Sequence, residues 1–381
     1  MFNNSHLVIW NSWGYIQSFG SFQTYYAAQL HESPSSISWI GSMQIFLLFI
    51  LGPFAGRATD AGYFRPVFIT GLIFQLLGVF MTSISTNYWQ IFLSQGVCQG
   101  LGNGMQFVPT MSLLSTYFAK NRSFAIGIAA TGATTGGMVM PAMVQQLLPK
   151  IGFGWTVRAL GLVMAVLGTT AAIFLKTRIP PRKAGPLVEW SAFAEPPFLL
   201  FCIGMFFNFW GVYFPFYYVG TYGRALGFSY TNSVSLLLLM NGVGVIGRLA
   251  PNIIADRALG PLNTIIISSL ATGTITFCWV AVDTRAGLWG FAAIFGLFAA
   301  GIQSLFPACL ASLTPDLQKR GSRMGMGFAV AGVASLTGTP LGGALIQADK
   351  GGFLYAQMWA GACMITAAIF LAWNLELSLD E

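Results

Sequence analysis

Arg248 is the residue in this chain whose type and setting point most directly to chemistry. It follows Asn241-Gly-Val-Gly-Val-Ile-Gly247 and precedes a further apolar run, Leu249 to Ala255, that ends at Asp256-Arg257. On a helix it lies about eight residues, or ~12 Å at 1.5 Å per residue, inside the end of its apolar segment. A guanidinium at that depth in hydrocarbon must face water, an anion or a partner. Its planar fork suits a carboxylate, held by two parallel hydrogen bonds. The competing reading is structural: the side chain snorkels back to the surface along its stem, or pairs within the protein. A second set of candidates is uncharged. Gln95, Gln99, Asn103 and Gln106 are spaced 4, 4 and 3 apart, which puts them on one face of a helix. Asn11, Tyr15 and Gln17 lie in the first apolar segment, Asn208, Tyr213 and Tyr217 in the seventh, and Gln303 in the tenth. Polar groups are costly in a bilayer centre and face a bundle interior or a cavity. These therefore predict a central cavity lined by four helices. The alternative is that the amides only tie neighbouring helices together, a role worth ~0.6–2 kcal/mol each.

The remaining titratable groups limit the chemistry. The 11 acidic residues and both histidines, His6 and His31, fall in loops, at helix ends or in the tail. No carboxylate or imidazole is left deep in the apolar segments to relay a proton. The same lack argues against an intramembrane hydrolase and against a metal site, so neither cofactor nor metal is expected. A channel is disfavoured because no ring of charge lines a pore.

The elements that must position these residues are read from composition. Hydrophobic residues make up 55% of the 381 positions and charged residues 8%, against about 25% charged in a soluble domain. The apolar stretches have the length that a bilayer requires, about 20 residues. Twelve helices are predicted, at about 6–26, 37–56, 67–86, 89–116, 123–147, 154–176, 197–219, 230–254, 262–282, 286–310, 322–346 and 353–375. The chain also repeats itself. Asn11-x-Trp13-Gly14 recurs as Asn208-x-Trp210-Gly211, Gly104 maps on Gly301, Gln106 on Gln303, and Arg122…Gly127 on Arg320…Gly325, all in order and at an offset of about 197. Tandem halves of this kind are what many secondary transporters are built from. The domains follow: an N-terminal six-helix bundle, 1–176; a linker, 177–196, with Pro180-Pro181, Arg182-Lys183 and Pro196-Pro197; and a C-terminal six-helix bundle, 197–381.

Of the 18 Lys and Arg residues, 13 fall in one set of connections. The excess of basic residues on the inner side places that set and both termini in the cytoplasm, with the plasma membrane as the expected location. Basic residues are scattered singly and in pairs, so the net charge of +7 is no nucleic-acid footprint. Arg158, after Gly154-Trp155, reads as an interfacial anchor. The five cysteines lie inside apolar segments without a CxxC and read as packing residues. The start lacks the basic residues of a cleavable signal. Residue 1 aligns with the start of the seventh helix, so the first helix reads as nearly complete and a preceding cytoplasmic tail as missing, as a shortened gene model would leave it. Gly132, Gly136-Gly137 and Pro141, with Gly332, Gly338, Pro340 and Gly342-Gly343, predict closely packed, bendable helices at a seam about which the halves rock.

Two motifs carry a resemblance. Gly56-Arg-Ala-Thr-Asp60-Ala-Gly62-Tyr-Phe-Arg65-Pro66 resembles the helix 2–3 loop signature of the major facilitator superfamily. Tyr117-Phe-Ala-Lys120-Asn-Arg122 through Gly136 resembles the helix 4–5 signature of its monocarboxylate-transporter branch, and Ser38-Trp-Ile-Gly-Ser42, Gly211-Val-Tyr-Phe-Pro215, Phe306-Pro307 and Thr314-Pro-Asp316 resemble its fungal members. The resemblance covers essentially the whole chain. It implies an all-α membrane protein with the major facilitator fold, not an enzyme, that carries small organic monocarboxylates by alternating access. It implies that Asp60 and Arg65 take part in a cytoplasmic gate, with Gly56, with Asp256, near which Asp60 maps in the repeat, and with Arg257. It implies that Arg248 binds the cargo's carboxylate, with Asn11, Gln99, Asn103, Gln106, Asn208, Tyr213 and Gln303 shaping the cavity and protons as a possible coupling ion. The chain departs from the branch at Gly244, where an aspartate is expected, and near Gln17 or Ser18, where a lysine is expected. Fungal members of the branch include exporters of secondary metabolites, the alternative reading, and the departures fit that no worse. A non-transporting sensor with the same fold is the reading from another class.

Overall fold

The computed structural model describes residues 2–30, 32–117, 122–175, 188–314 and 317–380. Among them every regular element is helical. The first leg is α1 (Phe2–Gln17) and α2 (Phe19–Gln29), with a turn at Ser18. α3 (Pro34–Ile50) and α4 (Gly52–Ala58) form the second, and α5 (Phe64–Thr82) the third. α6 (Tyr88–Ile91) runs through a π-helical stretch, Phe92–Cys98, into α7 (Gln99–Tyr117) as the fourth. α8 (Arg122–Phe174) is two legs, because Gly152 at φ 74° and ψ 174° breaks the helix and reverses it. The second half comprises α9 (Pro196–Ala225), α10 (Tyr230–Ile254), α11 (Gly260–Cys278), α12 (Arg285–Ser312), α13 (Leu317–Ala348) and α14 (Leu354–Asp380).

Among the described residues, length and hydropathy alone mark eight stretches able to cross a membrane. Two of these, Ser123–Phe174 and Tyr230–Ala281, are 52 residues long. A bilayer takes about 20 residues, so each holds two crossings, separated at Gly152 and at Gly260 (φ 76°). Both glycines sit in the left-handed region that a side chain disfavours. The first and fourth legs fall outside those eight: the turn at Ser18 divides the first into helices of 16 and 11 residues, and the fourth carries Gln95, Gln99, Asn103 and Gln106. The twelve legs follow the twelve predicted helices to within a few residues, apart from the longer α13 and the extended ends of α9 and α14. Local starts have local causes. The Ser33 hydroxyl accepts the Ser36 N–H at 3.1 Å with Pro34 at the first turn, and Ser229 and Thr284 cap α10 and α12 in the same way.

The halves meet along two long seams, α3 against α13 and α8 against α10. Small residues permit the approach: a Cβ at Gly137 would stand 2.5 Å from Asn241 Oδ1, and one at Gly332 would stand 3.1 Å from Phe49 Cβ. Bonds join the halves on both faces. On the face opposite the termini, the Ser38 and Tyr218 hydroxyls share a hydrogen bond of 2.6 Å, Ser35 donates to the Pro340 carbonyl at 3.0 Å, and the Ser42 and Thr339 hydroxyls bond directly. On the face bearing the termini, the Phe124 N–H donates to Asp256 Oδ2 at 2.9 Å and Gly325 abuts Pro53. Contacts thus join the halves on both faces.

The predicted linker lies largely outside the described residues, which resume at 188. Its end is anchored firmly. Arg323, at the start of α13 and 5% exposed, donates from Nε and Nη2 to Glu189 at 3.1 Å each, and from Nη1 and Nη2 to Glu195 at 2.6 and 2.5 Å. Removing the guanidinium from a buried carboxylate costs about 3–5 kcal/mol. Arg323→Gln is therefore expected to lower the unfolding temperature of the detergent-solubilised protein, with Glu189→Gln in the same chain recovering part of the loss. Equal melting of wild type and Arg323→Gln would show that the anchor is decorative.

Candidate functional site

The legs converge on one central cavity. The first half contributes Ile9 and Trp13 from α1, Phe49 from α3, Phe107 and Met111 from α7, and Ala130 and Ala133 from α8. The second contributes Phe209 and Tyr213 from α9, Arg248 from α10, Gln303 and Phe306 from α12, and Phe328 from α13. The void holds about 30 Å³ as room for water centres, space for about two waters. A site for a small organic molecule takes several hundred Å³, so cargo binding requires the rings to part.

Those rings form one connected cluster across the two halves. Trp13 lies 5.6 Å from Phe49, 5.7 Å from Phe107 and 6.1 Å from Tyr213, centroid to centroid. Phe49 is 5.3 Å from Phe328, and Phe306 is 4.9 Å from Phe328 and 5.1 Å from Phe209. Arg248, 4% exposed, is the charged group among the lining residues. Its Nη2 donates to Gln303 Oε1 at 2.6 Å, while its Nε is buried without a partner. It forms no ion pair with any described residue. α10 holds it in place through Asn252, which donates to the Arg248 carbonyl at 2.7 Å and to Ser304 of α12 at 2.8 Å.

Of the predicted cavity residues, the structure brings together Arg248, Tyr213 and Gln303. It corrects the placement of the others. Gln44 donates to Gln99 Oε1 at 3.0 Å, Gln75 donates to Asn103 Oδ1 at 2.7 Å, and Gln106 donates to Gln75 Oε1 at 3.3 Å. The amide face of α7 thus turns toward α3 and α5 rather than the centre. Asn11 donates to the Met164 carbonyl at 2.9 Å, and Asn208 to the Ser269 hydroxyl at 2.9 Å. In an apolar interior an amide is held where a second polar group can answer it, and here the answering groups sit on neighbouring helices. The lining also draws on eight legs where four were predicted, adding the second, fifth, eighth and eleventh. Aromatic residues supply most of it, and sequence reasoning missed them. Trp13 belongs to the repeated Asn-x-Trp-Gly, yet its counterpart Trp210 packs on Trp359 and bonds Thr337, so the repeat did not single it out.

Among the predicted gate residues, Asp256 makes the cross-half bond to Phe124 described above. Gly56 is half-buried with open space where a Cβ would be, and Arg65 and Arg257 are exposed. Asp60 lies in the turn Thr59–Tyr63, and its side chain is outside the described set.

A family model described as Major Facilitator Superfamily matches residues 6–316. The chain belongs to that superfamily. It is 48% identical over 369 residues to an MFS-type transporter of Gibberella zeae, a match covering 96% of this chain and 83% of the relative. It is 34% identical over 365 residues to the aspyridones efflux protein of Emericella nidulans, covering 95% and 74%. The fold is shared with the Escherichia coli fucose:proton symporter, at a TM-score of 0.72 and 14% identity over 98% of this chain and 97% of that one. It is also shared with the human organic anion transporter MFSD10, at 0.71 and 13% over the same shares. The protein is a multi-pass membrane transporter of this superfamily, with fungal relatives.

Proposed function

We propose that this transporter exports a small organic metabolite across the plasma membrane by alternating access, with Arg248 receiving an anionic or hydrogen-bond-accepting group of the cargo. The observation that carries the reading is a buried guanidinium in an aromatic cavity between the halves, joined there to an amide and to no described carboxylate. A desolvated cation of this kind favours a ligand that supplies the missing acceptor. Export is favoured over uptake of lactate-sized acids on two grounds. A relative is named for efflux of a metabolite, and a small hydrophilic acid would bury little apolar area against a wall of rings. In this reading 1–176 and 197–381 rock about the seams, 177–196 links them in the cytoplasm beside both termini, and Gly56, Asp60, Arg65, Asp256 and Arg257 close the inner side. Tyr213 and Gln303 join Arg248 at the cargo. Asn11, Gln99, Asn103, Gln106 and Asn208 keep the helices in register. Protons are the coupling ion to be tested.

The test is accumulation in proteoliposomes of purified protein, with and without an imposed pH gradient. Labelled lactate is offered beside a fungal metabolite extract read by mass spectrometry. Accumulation of an extract component with exclusion of lactate is expected. Lactate flux with no extract component moved would replace export by monocarboxylate carriage, and binding without any flux would favour a sensor.

A further inference from the structure

The cavity couples two features that together specify a class of cargo. The first is a pair of rings from opposite halves. Trp13 of α1 and Tyr213 of α9 are stacked with an interplanar angle of 19° and centroids 6.1 Å apart. Their flanks are closed by further rings, Phe107 edge-on to Trp13 at 71° and Phe209 tilted 55° to Tyr213. Trp13 and Tyr213 belong to halves that must separate to admit cargo, so the faces that now meet each other are the faces a guest would meet. The second feature is a set of donors on the same cavity. Arg248 Nη2 donates to the Gln303 carbonyl oxygen, which fixes the amide so that its N–H group is the one left without a partner. Arg248 Nε, Gln303 Nε2 and the Tyr213 hydroxyl are all buried without a partner. Two of these three can only donate. The arrangement asks for an acceptor with more than one oxygen, beside a flat apolar body.

Resting on the exporter reading above, we propose that the cargo is a planar aromatic acid bound as its anion. Its ring system lies between Trp13 and Tyr213, and its oxygens accept from Arg248 Nε and Gln303 Nε2. Gln303 is the specificity-determining partner of Arg248: its carbonyl holds the guanidinium in position while its amide supplies a second donor. Two ring faces favour an aromatic guest over a saturated one by about tenfold, and loss of the charge on the acceptor costs about tenfold or more.

Three probes of one shape separate the two features: 2-naphthoate, decalin-2-carboxylate and 2-naphthamide. Their binding to the protein in lipid nanodiscs is measured by calorimetry, with empty nanodiscs subtracted. Naphthoate is expected to bind about tenfold tighter than either of the others. Trp13→Leu should erase the preference for naphthoate over the decalin acid and keep the preference over the amide, while Trp13→Phe should keep both. Gln303→Glu, which sets a carboxylate against Arg248, should erase the preference over the amide and keep the ring preference. Equal binding of the three probes to the wild-type protein overturns the proposal, and that comparison needs no variant to fold. Export of an extract component by a protein that binds the three probes alike removes this class and leaves the exporter. Selective naphthoate binding without any flux removes the exporter and leaves the site.

Discussion

Arg248→Gln is expected to lower carrier-mediated flux of the cargo by about tenfold to a hundredfold while the protein still inserts and folds. A hydrogen bond to a charged group contributes about 1.5–3 kcal/mol, and at cargo concentrations below saturation the loss appears directly in the rate. Folding should not suffer equally. The guanidinium is 4% exposed and forms no ion pair with a described residue, so the wild-type protein already carries the cost of taking a charge out of water. A neutral amide of similar reach relieves that cost. The unfolding temperature of Arg248→Gln should therefore equal or exceed that of wild type, which separates loss of binding from loss of structure. Arg248→Lys keeps the charge and loses the planar fork, and its flux should fall between the two. Undiminished flux in a folded Arg248→Gln protein would remove this residue from the cargo site. A parallel fall in flux and melting temperature would make it a structural group instead.

The two features that set the fold, helix length and internal repetition, are long-range patterns that an apolar chain states plainly, which is why the legs lie close to their predicted ranges. Arg248 and Gln303 were also legible, since a charge or amide between apolar runs has few places to go. The same logic failed for Gln99, Asn103 and Gln106. Spacing of 4 and 3 showed correctly that they share a face, but polarity alone does not say which neighbour that face meets. Gln44 and Gln75, on α3 and α5, were the partners that decided it. Trp13, Phe49, Phe107 and Phe328 gave no signal for the opposite reason. In a chain with 15% aromatic residues, a ring at the centre and a ring against lipid read alike. Trp13 is 6% exposed and Trp155 is 64% exposed, a distinction that only packing draws. The Arg323 anchor was hidden differently. Glu189 and Glu195 read only as acids outside the apolar segments, and their shared partner shows once the chain folds back on α13.

Joining Ser42 to Thr339 should stop transport altogether, a larger effect than the loss of any single cargo contact. The two hydroxyls bond across the halves on the face opposite the termini. Cysteines in their places would bring two sulfurs to within reach of the 2.05 Å disulfide bond. Of the native cysteines, Cys98 is half-buried and Cys278 exposed, while Cys202, Cys309 and Cys363 are buried. Replacing Cys98 and Cys278 by serine gives a background in which the new pair is the accessible one. In Ser42→Cys/Thr339→Cys protein, oxidation is expected to reduce flux to the level of empty vesicles, and a thiol reductant to restore it. Each single variant should be insensitive to both reagents. The reason is mechanical. Ser42 lies about two turns inside α3, and the bond there, with that of Ser35 to Pro340, joins α3 to α13 at one end of their seam. Alternating access requires that end to open in one half of the cycle, and a covalent bond forbids it whatever the cargo. Flux that continues after quantitative cross-linking would mean that cargo leaves by another route, sideways between helices into the bilayer, and that the two halves need not part on this face.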